Sequence, residues 1–254
     1  MMLIAHRGAS HDAPENTVAA AQLGWAQGAD AVEIDIQSSK DGRIVVFHDD
    51  STRRTAGRRQ RIGAQTLAEL RALDAGSWKH PKYAGEKIPT LDEVVATIPV
   101  GKRLFVEFKC GPEVLPEFAG VLKRAGRSPQ QIVPIGFSLT TMAAVKIHLP
   151  LLEVCWVAGF KRDWKGRWQP TAAKLIEQAK AFGLDGLDLG AHGPLDTAFV
   201  REVHAAGLKL YVWTVDSLAK ARALAAAGVD GVTTNKPGWL REQLTHARAP
   251  FLSA

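Results

Sequence analysis

The sequence has little cysteine and no long apolar run. Only two cysteines, Cys110 and Cys155, occur among 254 residues. This excludes a disulfide framework and a cysteine-built zinc site, and it fits a reducing compartment. No stretch approaches the roughly 18 apolar residues that a membrane-spanning helix needs, and the first residues lack the basic and apolar regions of a signal peptide. We therefore expect no membrane span and a cytoplasmic location.

The net charge is the unusual feature of the composition. The chain has 32 Lys and Arg residues against 26 Asp and Glu residues, a net charge of +6. Such an excess is typical of proteins that bind nucleic acid, an anionic membrane surface or a small anionic substrate. The total alone does not separate these three partners.

A recurring order of helix, glycine and short aliphatic strand organises the chain. Strands are predicted at 3–6, 31–37, 44–48, 104–109, 132–138, 152–157, 185–189, 208–214 and 229–234. Helical patterns are predicted at 112–125, 139–148, 170–182, 195–206 and 217–227. Apolar strands that alternate with helices predict βαβ units with right-handed crossovers.

The second and third predicted strands form a hairpin, because only a short Asp41-Gly42 turn region separates them. Without the antiparallel strand 44–48, eight parallel strands remain, which predicts a (β/α)₈ TIM barrel. We expect residues 1–254 to form a single domain, with a small capping insertion at about 49–90. A two-residue turn would place Asp35 directly opposite His48.

Charged residues stand where predicted barrel strands end, at the face that carries the active site in such barrels. Glu33 and Asp35 are two residues apart, as are Glu107 and Lys109, so each pair projects from one side of its strand. Charges that point into a barrel are costly unless they are paired or bound to a cation. Three converging carboxylates predict a site for a hard cation such as Mg²⁺ or Ca²⁺.

The first strand ends at His6 and Arg7, and the hairpin ends at His48. Two histidines, two cationic side chains and a divalent cation suit chemistry at a phosphate ester. The cations hold the anion while one histidine accepts a proton and the other donates one. An internal salt-bridge set among the same acids and bases is the structural alternative.

Several motifs stand in a specific order. They are IAHRG at 4–8, APENT at 13–17, VEIDI at 32–36, KDG at 40–42, FHD at 47–49, IPTL at 88–91, VEFK at 106–109 and VWTV at 212–215. In this order the chain resembles the glycerophosphodiester phosphodiesterases, from residue 3 to about residue 237. The run DAGSW at 74–78 resembles the cytosolic bacterial branch.

The resemblance implies a TIM barrel that cleaves glycerophosphodiesters to sn-glycerol 3-phosphate and an alcohol, with bound Mg²⁺ or Ca²⁺. It also implies a role for each matched residue. These are His6 and His48 as the acid–base pair, Glu33, Asp35 and Glu107 as metal ligands, Arg7 and Lys109 as phosphate-binding cations, and Trp213 as a wall of the substrate pocket.

Two positions depart from the family pattern, and two other functions stay open. Asn235 stands where the family usually has Asp, and Asp216 stands where Asn is commoner. The same site could act on lysophospholipids, as a lysophospholipase D does. A nucleic-acid-binding protein is the less favoured alternative, because the arginine-rich stretch 53–61 contains no aromatic residue for base stacking. We expect a small anionic substrate and no nucleic acid; the oligomeric state stays open.

Overall fold

Eight parallel strands close into a barrel, which confirms the predicted (β/α)₈ fold. The structure, a computed structural model, describes residues 1–246. The barrel strands are β1 (Met2–His6), β2 (Ala31–Ser38), β4 (Arg103–Phe108), β5 (Ile132–Gly136), β6 (Cys155–Ala158), β9 (Gly186–Gly190), β10 (Lys209–Trp213) and β11 (Gly231–Thr234). They follow one another around the ring in chain order, and β1 pairs with both β2 and β11.

Helices follow the strands and cover the outside of the barrel. They are α1 (Val18–Ala26), α2 (Arg53–Ala56), α3 (Leu67–Arg71), α4 (Leu91–Ala96), α5 (Leu115–Ala125), α6 (Leu139–His148), α7 (Ala172–Ala181), α8 (Thr197–Ala205), α9 (Leu218–Ala227) and α10 (Pro237–His246). Short 3₁₀ turns lie at Ile62–Ala64, Pro81–Tyr83, Pro112–Val114 and Pro129–Gln131. Among residues 1–246, none of these helices has the length and apolarity to cross a membrane.

Apolar packing fills the inside of the barrel at the end opposite the site. Phe105 and Tyr211 meet edge to face with ring centroids 4.9 Å apart, beside the buried Ile4 and Cys155. A larger apolar layer lies between the outer strand faces and the helices. Because the lower interior is packed, the cavity inside the barrel lies where the strands end.

The predicted hairpin exists, but its predicted register is wrong by one residue. Strand β3 (Ile44–Val46) runs antiparallel to β2, with Ser38 opposite Ile44. The loop has three residues, since the Ser39 amide donates to the Arg43 carbonyl at 2.9 Å and Gly42 is left-handed with φ of 73°.

The longer loop places Asp35 opposite Phe47, whose amide donates to the Asp35 carbonyl oxygen at 2.9 Å. His48 is the next residue along the chain and lies beyond the end of β3. It still reaches the rim of the barrel, as the site below describes.

The segment between β3 and α4 has a small apolar core of its own. Phe47, Ile62, Leu70 and Ile88 are buried together there, beneath α2 and α3. The sequence also did not predict a two-stranded hairpin of β7 (Lys161–Arg162) and β8 (Trp168–Gln169) after β6. Strands of two residues are too short to leave a periodic pattern in the sequence.

Gly8 joins β1 to the loop that carries the first site residues. It has φ of 79°, and a Cβ atom there would lie 2.4 Å from the backbone carbonyl carbon of Ala20 in α1. Backbone at that distance cannot yield as a flexible side chain does. Both conformation and space therefore require glycine at this position.

We predict that Gly8→Ala lowers the free energy of unfolding by about 3–5 kcal/mol, because left-handed strain and overpacking add. Gly42→Ala is the matched control, since Gly42 is also left-handed but has no atom within 4 Å of its Cβ position. Strain alone should cost that variant about 1–2 kcal/mol. Urea unfolding measures both values, and equal losses would contradict the packing argument.

Candidate active site

Three buried carboxylates form the centre of the site. Oxygen atoms of Glu33, Asp35 and Glu107 lie within 4.8 Å of one another. Asp35 and Glu107 are directly paired residues on β2 and β4, so the strand register itself brings them together. Burial, and then the Asp35 charge, raise the pKa of Glu33 well above its ordinary value and that of Glu107 to about 7.

The carboxylate cluster fits a divalent cation. Glu33 Oε1 is buried and has no hydrogen-bond partner within residues 1–246. Asp35 Oδ1 is buried and has none either, although the Lys109 ammonium group lies 3.3 Å from it. Oxygen-rich carboxylate sites are those that Mg²⁺ and Ca²⁺ prefer. Because the carboxylates repel one another and are shielded from water, a cation would relieve both unfavourable contributions.

Two cationic side chains contact the same carboxylates. Arg7 Nε lies 3.3 Å from Asp35 Oδ2, and Lys109 Nζ lies 3.3 Å from Asp35 Oδ1 and also contacts Glu107. The Arg7 amide donates to Glu33 Oε2 at 2.8 Å. These contacts are those of the salt-bridge alternative, and Arg7 and Lys109 also line the cavity described below.

Asp35 is fixed from behind by Asn16. The Asn16 side-chain amide donates to Asp35 Oδ2 at 2.7 Å, and Asn16 Oδ1 accepts from the Asp35 amide at 3.1 Å. Asn16 is left-handed with φ of 59°, a conformation that Asn tolerates better than most residues. The neighbouring Thr17 caps α1, whereas Asn16 holds Asp35.

His6 is held by a chain of hydrogen bonds from the end of β11. Its Nδ1 lies 2.7 Å from Asn235 Oδ1, which also accepts from Ser10 Oγ at 2.9 Å. The side-chain amide nitrogen of Asn235, Nδ2, in turn donates to Asp216 Oδ2 at 2.6 Å. An amide oxygen only accepts, so Nδ1 carries the hydrogen and Nε2 is left with a lone pair. Burial, and then the Arg7 charge, lower the pKa of His6.

His48 is held by a carboxylate instead. Its Nδ1 lies 2.7 Å from Asp49 Oδ1, and Arg54 of the insertion binds Asp49 through two hydrogen bonds. Arg54 also binds Glu15, which accepts from Arg7. The Arg54 contact and the hydrogen bond to His48 lower the pKa of Asp49 to about 2. The insertion thus links the two histidine loops.

The site residues surround a cavity of about 240 Å³ at the end of the barrel. It is lined by His6, Arg7, Glu33, His48, Glu107, Lys109, Ile135, Phe137, Val157, Asp188, Trp213, Thr214 and Thr233. Of the eight site residues predicted from sequence, seven line it, and Asp35 lies behind them, 1% exposed. Trp213 packs edge to face with Phe137, with ring centroids 5.8 Å apart.

Comparison with known proteins identifies the family. The model of the glycerophosphoryl diester phosphodiesterase family matches residues 6–239. The chain belongs to this family. The predicted resemblance is therefore confirmed, and the chain is an enzyme of the phosphodiesterase class.

Relatives of this phosphodiesterase match over almost its whole length. A glycerophosphodiester phosphodiesterase of Caldanaerobacter subterraneus is 32% identical and covers 93% of this chain and 94% of its own. One from Bacillus subtilis is 32% identical, over 93% of this chain and 84% of its own. An Oleispira antarctica phosphodiesterase, solved with the product sn-glycerol-3-phosphate, superposes with a TM-score of 0.86 and 31% identity, over 96% of this chain and 97% of its own.

Four polar residues of this phosphodiesterase site had no predicted role there. Asn16 and Asp49 orient predicted site residues, whereas Asp188 and Thr233 line the cavity directly. Asp49 follows His48 in the FHD motif, and a carboxylate next to a candidate catalytic histidine could have indicated its orienting role. Asp188 lies in the strand run GLDLG, whose alternation could have indicated an inward-facing acid.

We predict that exchanging the two family departures raises the pKa of His6. In the double variant Asn235→Asp with Asp216→Asn, a carboxylate would accept from Nδ1 and stabilise the charged imidazolium, by about one pH unit or more. NMR titration of the imidazole measures the shift, and an unchanged pKa would contradict this account of the hydrogen-bond chain. The single variant Asn235→Asp is the control. It places the new carboxylate against that of Asp216, and the two would repel, so this variant should be less stable than the double variant.

Proposed function

We propose that this enzyme hydrolyses glycerophosphodiesters, such as glycerophosphocholine or glycerophosphoethanolamine, to sn-glycerol 3-phosphate and the corresponding alcohol. One observation carries the proposal: two histidines with Nδ1 anchored, two cationic side chains, Glu33 and Glu107 line a single cavity, and Asp35 completes the carboxylate cluster behind them. The product bound by the Oleispira antarctica relative supports the same substrate class. Residues 1–254 act as a single catalytic domain, with 49–90 as its insertion, in the cytoplasm; the unpaired Cys110 and Cys155 fit that compartment.

Glu33, Asp35 and Glu107 would hold Mg²⁺ or Ca²⁺. A divalent cation there supplies positive charge that stabilises the negative charge developing on the phosphoryl group. Arg7 and Lys109 then hold the phosphate oxygens. Arg7 and Lys109 both contact Asp35. A bound cation would compete with these two side chains for the Asp35 carboxylate, so that their N–H groups could bind the substrate phosphate instead.

The two histidines have different environments, and this supports a different role for each. His6 is neutral because burial lowers its pKa, and its Nε2 lone pair accepts the proton of the substrate hydroxyl next to the phosphate. That oxygen attacks phosphorus, and the bond from phosphorus to the leaving alcohol breaks. The product of this step is a cyclic phosphate of glycerol. His48, whose Nδ1 is held by the Asp49 carboxylate, donates its proton to the leaving alkoxide.

Water completes the reaction by opening the cyclic phosphate. His48, now neutral, accepts a proton from water as the water oxygen attacks phosphorus. The ring P–O bond breaks, and His6 returns the proton that it holds to the released hydroxyl. Both histidines regain their starting protonation states, so the cycle balances, and sn-glycerol 3-phosphate leaves.

We predict that chelation by EDTA abolishes release of sn-glycerol 3-phosphate and that added Mg²⁺ or Ca²⁺ restores it. A panel of glycerophosphodiesters, with lysophosphatidylcholine as the contrasting substrate, measures the preference after each metal is added. Asp35→Asn should lose metal binding by calorimetry, because it removes one anionic ligand. Full activity in the chelator would favour the salt-bridge alternative.

We predict that His6→Ala and His48→Ala each lower kcat by about 10²–10⁴-fold on glycerophosphocholine. A glycerophosphodiester of p-nitrophenol separates their roles, because this leaving group departs without a proton. On that substrate the formation of the cyclic phosphate should be spared in His48→Ala and still impaired in His6→Ala, measured as the burst of p-nitrophenolate. The opposite pattern would reverse the assignment.

A further inference from the structure

Asp188 is an acid in the cavity that the reaction described above does not use. It points inward from β9 and is 2% exposed. Its Oδ1 is buried and lacks a hydrogen-bond partner among the residues that the structure describes. The Trp213 indole is close, but it donates to the Asp188 backbone oxygen at 3.2 Å and leaves the carboxyl group free of that contact.

Thr233 presents a second buried polar atom without a partner. It lies on β11, is 2% exposed and lines the same cavity. Its Oγ1 has no hydrogen-bond partner within residues 1–246. Buried polar atoms in native proteins are almost always hydrogen-bonded, so two orphans in one cavity indicate a polar ligand.

The strand order sets where this pair lies relative to the carboxylate cluster. In the ring of eight strands, β9 lies opposite β2, and β11 lies midway between them, next to β10 on one side and β1 on the other. Asp188 therefore faces Glu33 of the proposed metal site across the cavity, and Thr233 lies on the wall between them. The apolar Ile135 and Val157 also line the cavity.

We propose that Asp188 and Thr233 form a subsite for the free terminal hydroxyl of the glycerol moiety. This inference rests on the proposed function, since it takes a glycerophosphodiester as the substrate. The glycerol unit is small and common to all such substrates, so it suits the closed end of the cavity. The alcohol, which varies, takes the side where Phe137 is 51% exposed.

The chemistry of the pair favours a hydroxyl over an ammonium group. Burial, and then the Glu107 charge, raise the pKa of Asp188 to about 8. A protonated carboxyl group both donates and accepts, as a hydroxyl does, and the Thr233 hydroxyl does the same. An acyl ester at the terminal oxygen of glycerol has no proton to donate and carries a long chain, so lysophospholipids would be rejected.

Two substrates that differ by one hydroxyl test the subsite. Glycerophosphocholine is compared with 2-hydroxypropyl phosphocholine, which keeps the hydroxyl next to the phosphate and lacks the terminal one. We expect kcat/KM to favour glycerophosphocholine by about 10²-fold or more in the wild-type enzyme. Lysophosphatidylcholine should be cleaved at least as poorly as the deoxy analogue.

The variants assign that preference to the two side chains. Asp188→Ala should reduce the ratio to about 10-fold or less, because it lowers kcat/KM for glycerophosphocholine much more than for the deoxy analogue. Asp188→Asn keeps a donor and an acceptor and should retain most of the preference. Thr233→Val removes one hydroxyl at nearly constant shape and should reduce the ratio less than Asp188→Ala does.

Three outcomes would overturn the subsite. They are a wild-type enzyme that cleaves both phosphodiesters equally well, an Asp188→Ala variant that loses activity on both in proportion, and cleavage of lysophosphatidylcholine at the rate of glycerophosphocholine. In each of these the proposed phosphodiesterase activity itself stands. A wild-type enzyme that cleaves neither phosphodiester with metal present would overturn both proposals.

Discussion

The buried carboxylate cluster at the rim of the barrel is the constraint on which the rest of the site depends. Three acids held within 4.8 Å of one another repel, and burial removes the water that would screen them. The positive charges of Arg7 and Lys109 and a hydrogen bond from the Asn16 side-chain amide partly offset this repulsion at Asp35. The same cluster attracts a divalent cation, so one arrangement of charge accounts for both the internal ion pairs and the proposed cofactor.

The histidines are positioned by parts of the chain that are far apart in sequence. His6 depends on Asn235 and Asp216 at the ends of the last two barrel strands. His48 depends on Asp49, which Arg54 of the insertion fixes. The barrel thus orients one histidine and the insertion orients the other. This gives the arginine-rich segment a structural role at the site in addition to its contribution to the positive charge.

The fold could be predicted from the sequence because its signals are local and repeated. Apolar strands that alternate with helices left only the eight-stranded barrel once the hairpin was removed. The convergence of the three acids could also be predicted, since acidic residues at the ends of adjacent parallel strands meet at one rim. The register of the hairpin could not, because a loop of two residues and one of three share the same Asp41-Gly42 signal, and Gly42 takes the left-handed position of the longer loop.

The residues that support the site were harder to predict, for a physical reason. Asn16 and Asn235 act through hydrogen bonds to side chains 19 and 229 positions away. No periodicity connects such residues, since only the closed barrel brings them together. Asp188 has the inward alternation of a strand residue. Its chemical meaning depends on Oδ1 having no hydrogen-bond partner in the described part of the chain, which only the folded structure reveals.

A crystal structure of the protein soaked with Mn²⁺, with anomalous scattering recorded, tests the central claim most directly. The account predicts one strong anomalous peak about 2.0–2.6 Å from oxygens of Glu33, Asp35 and Glu107, with the Lys109 ammonium group displaced from Asp35. Density without such a peak, and with Arg7 and Lys109 still paired to the carboxylates, would contradict the account. The acids would then form a structural salt-bridge cluster.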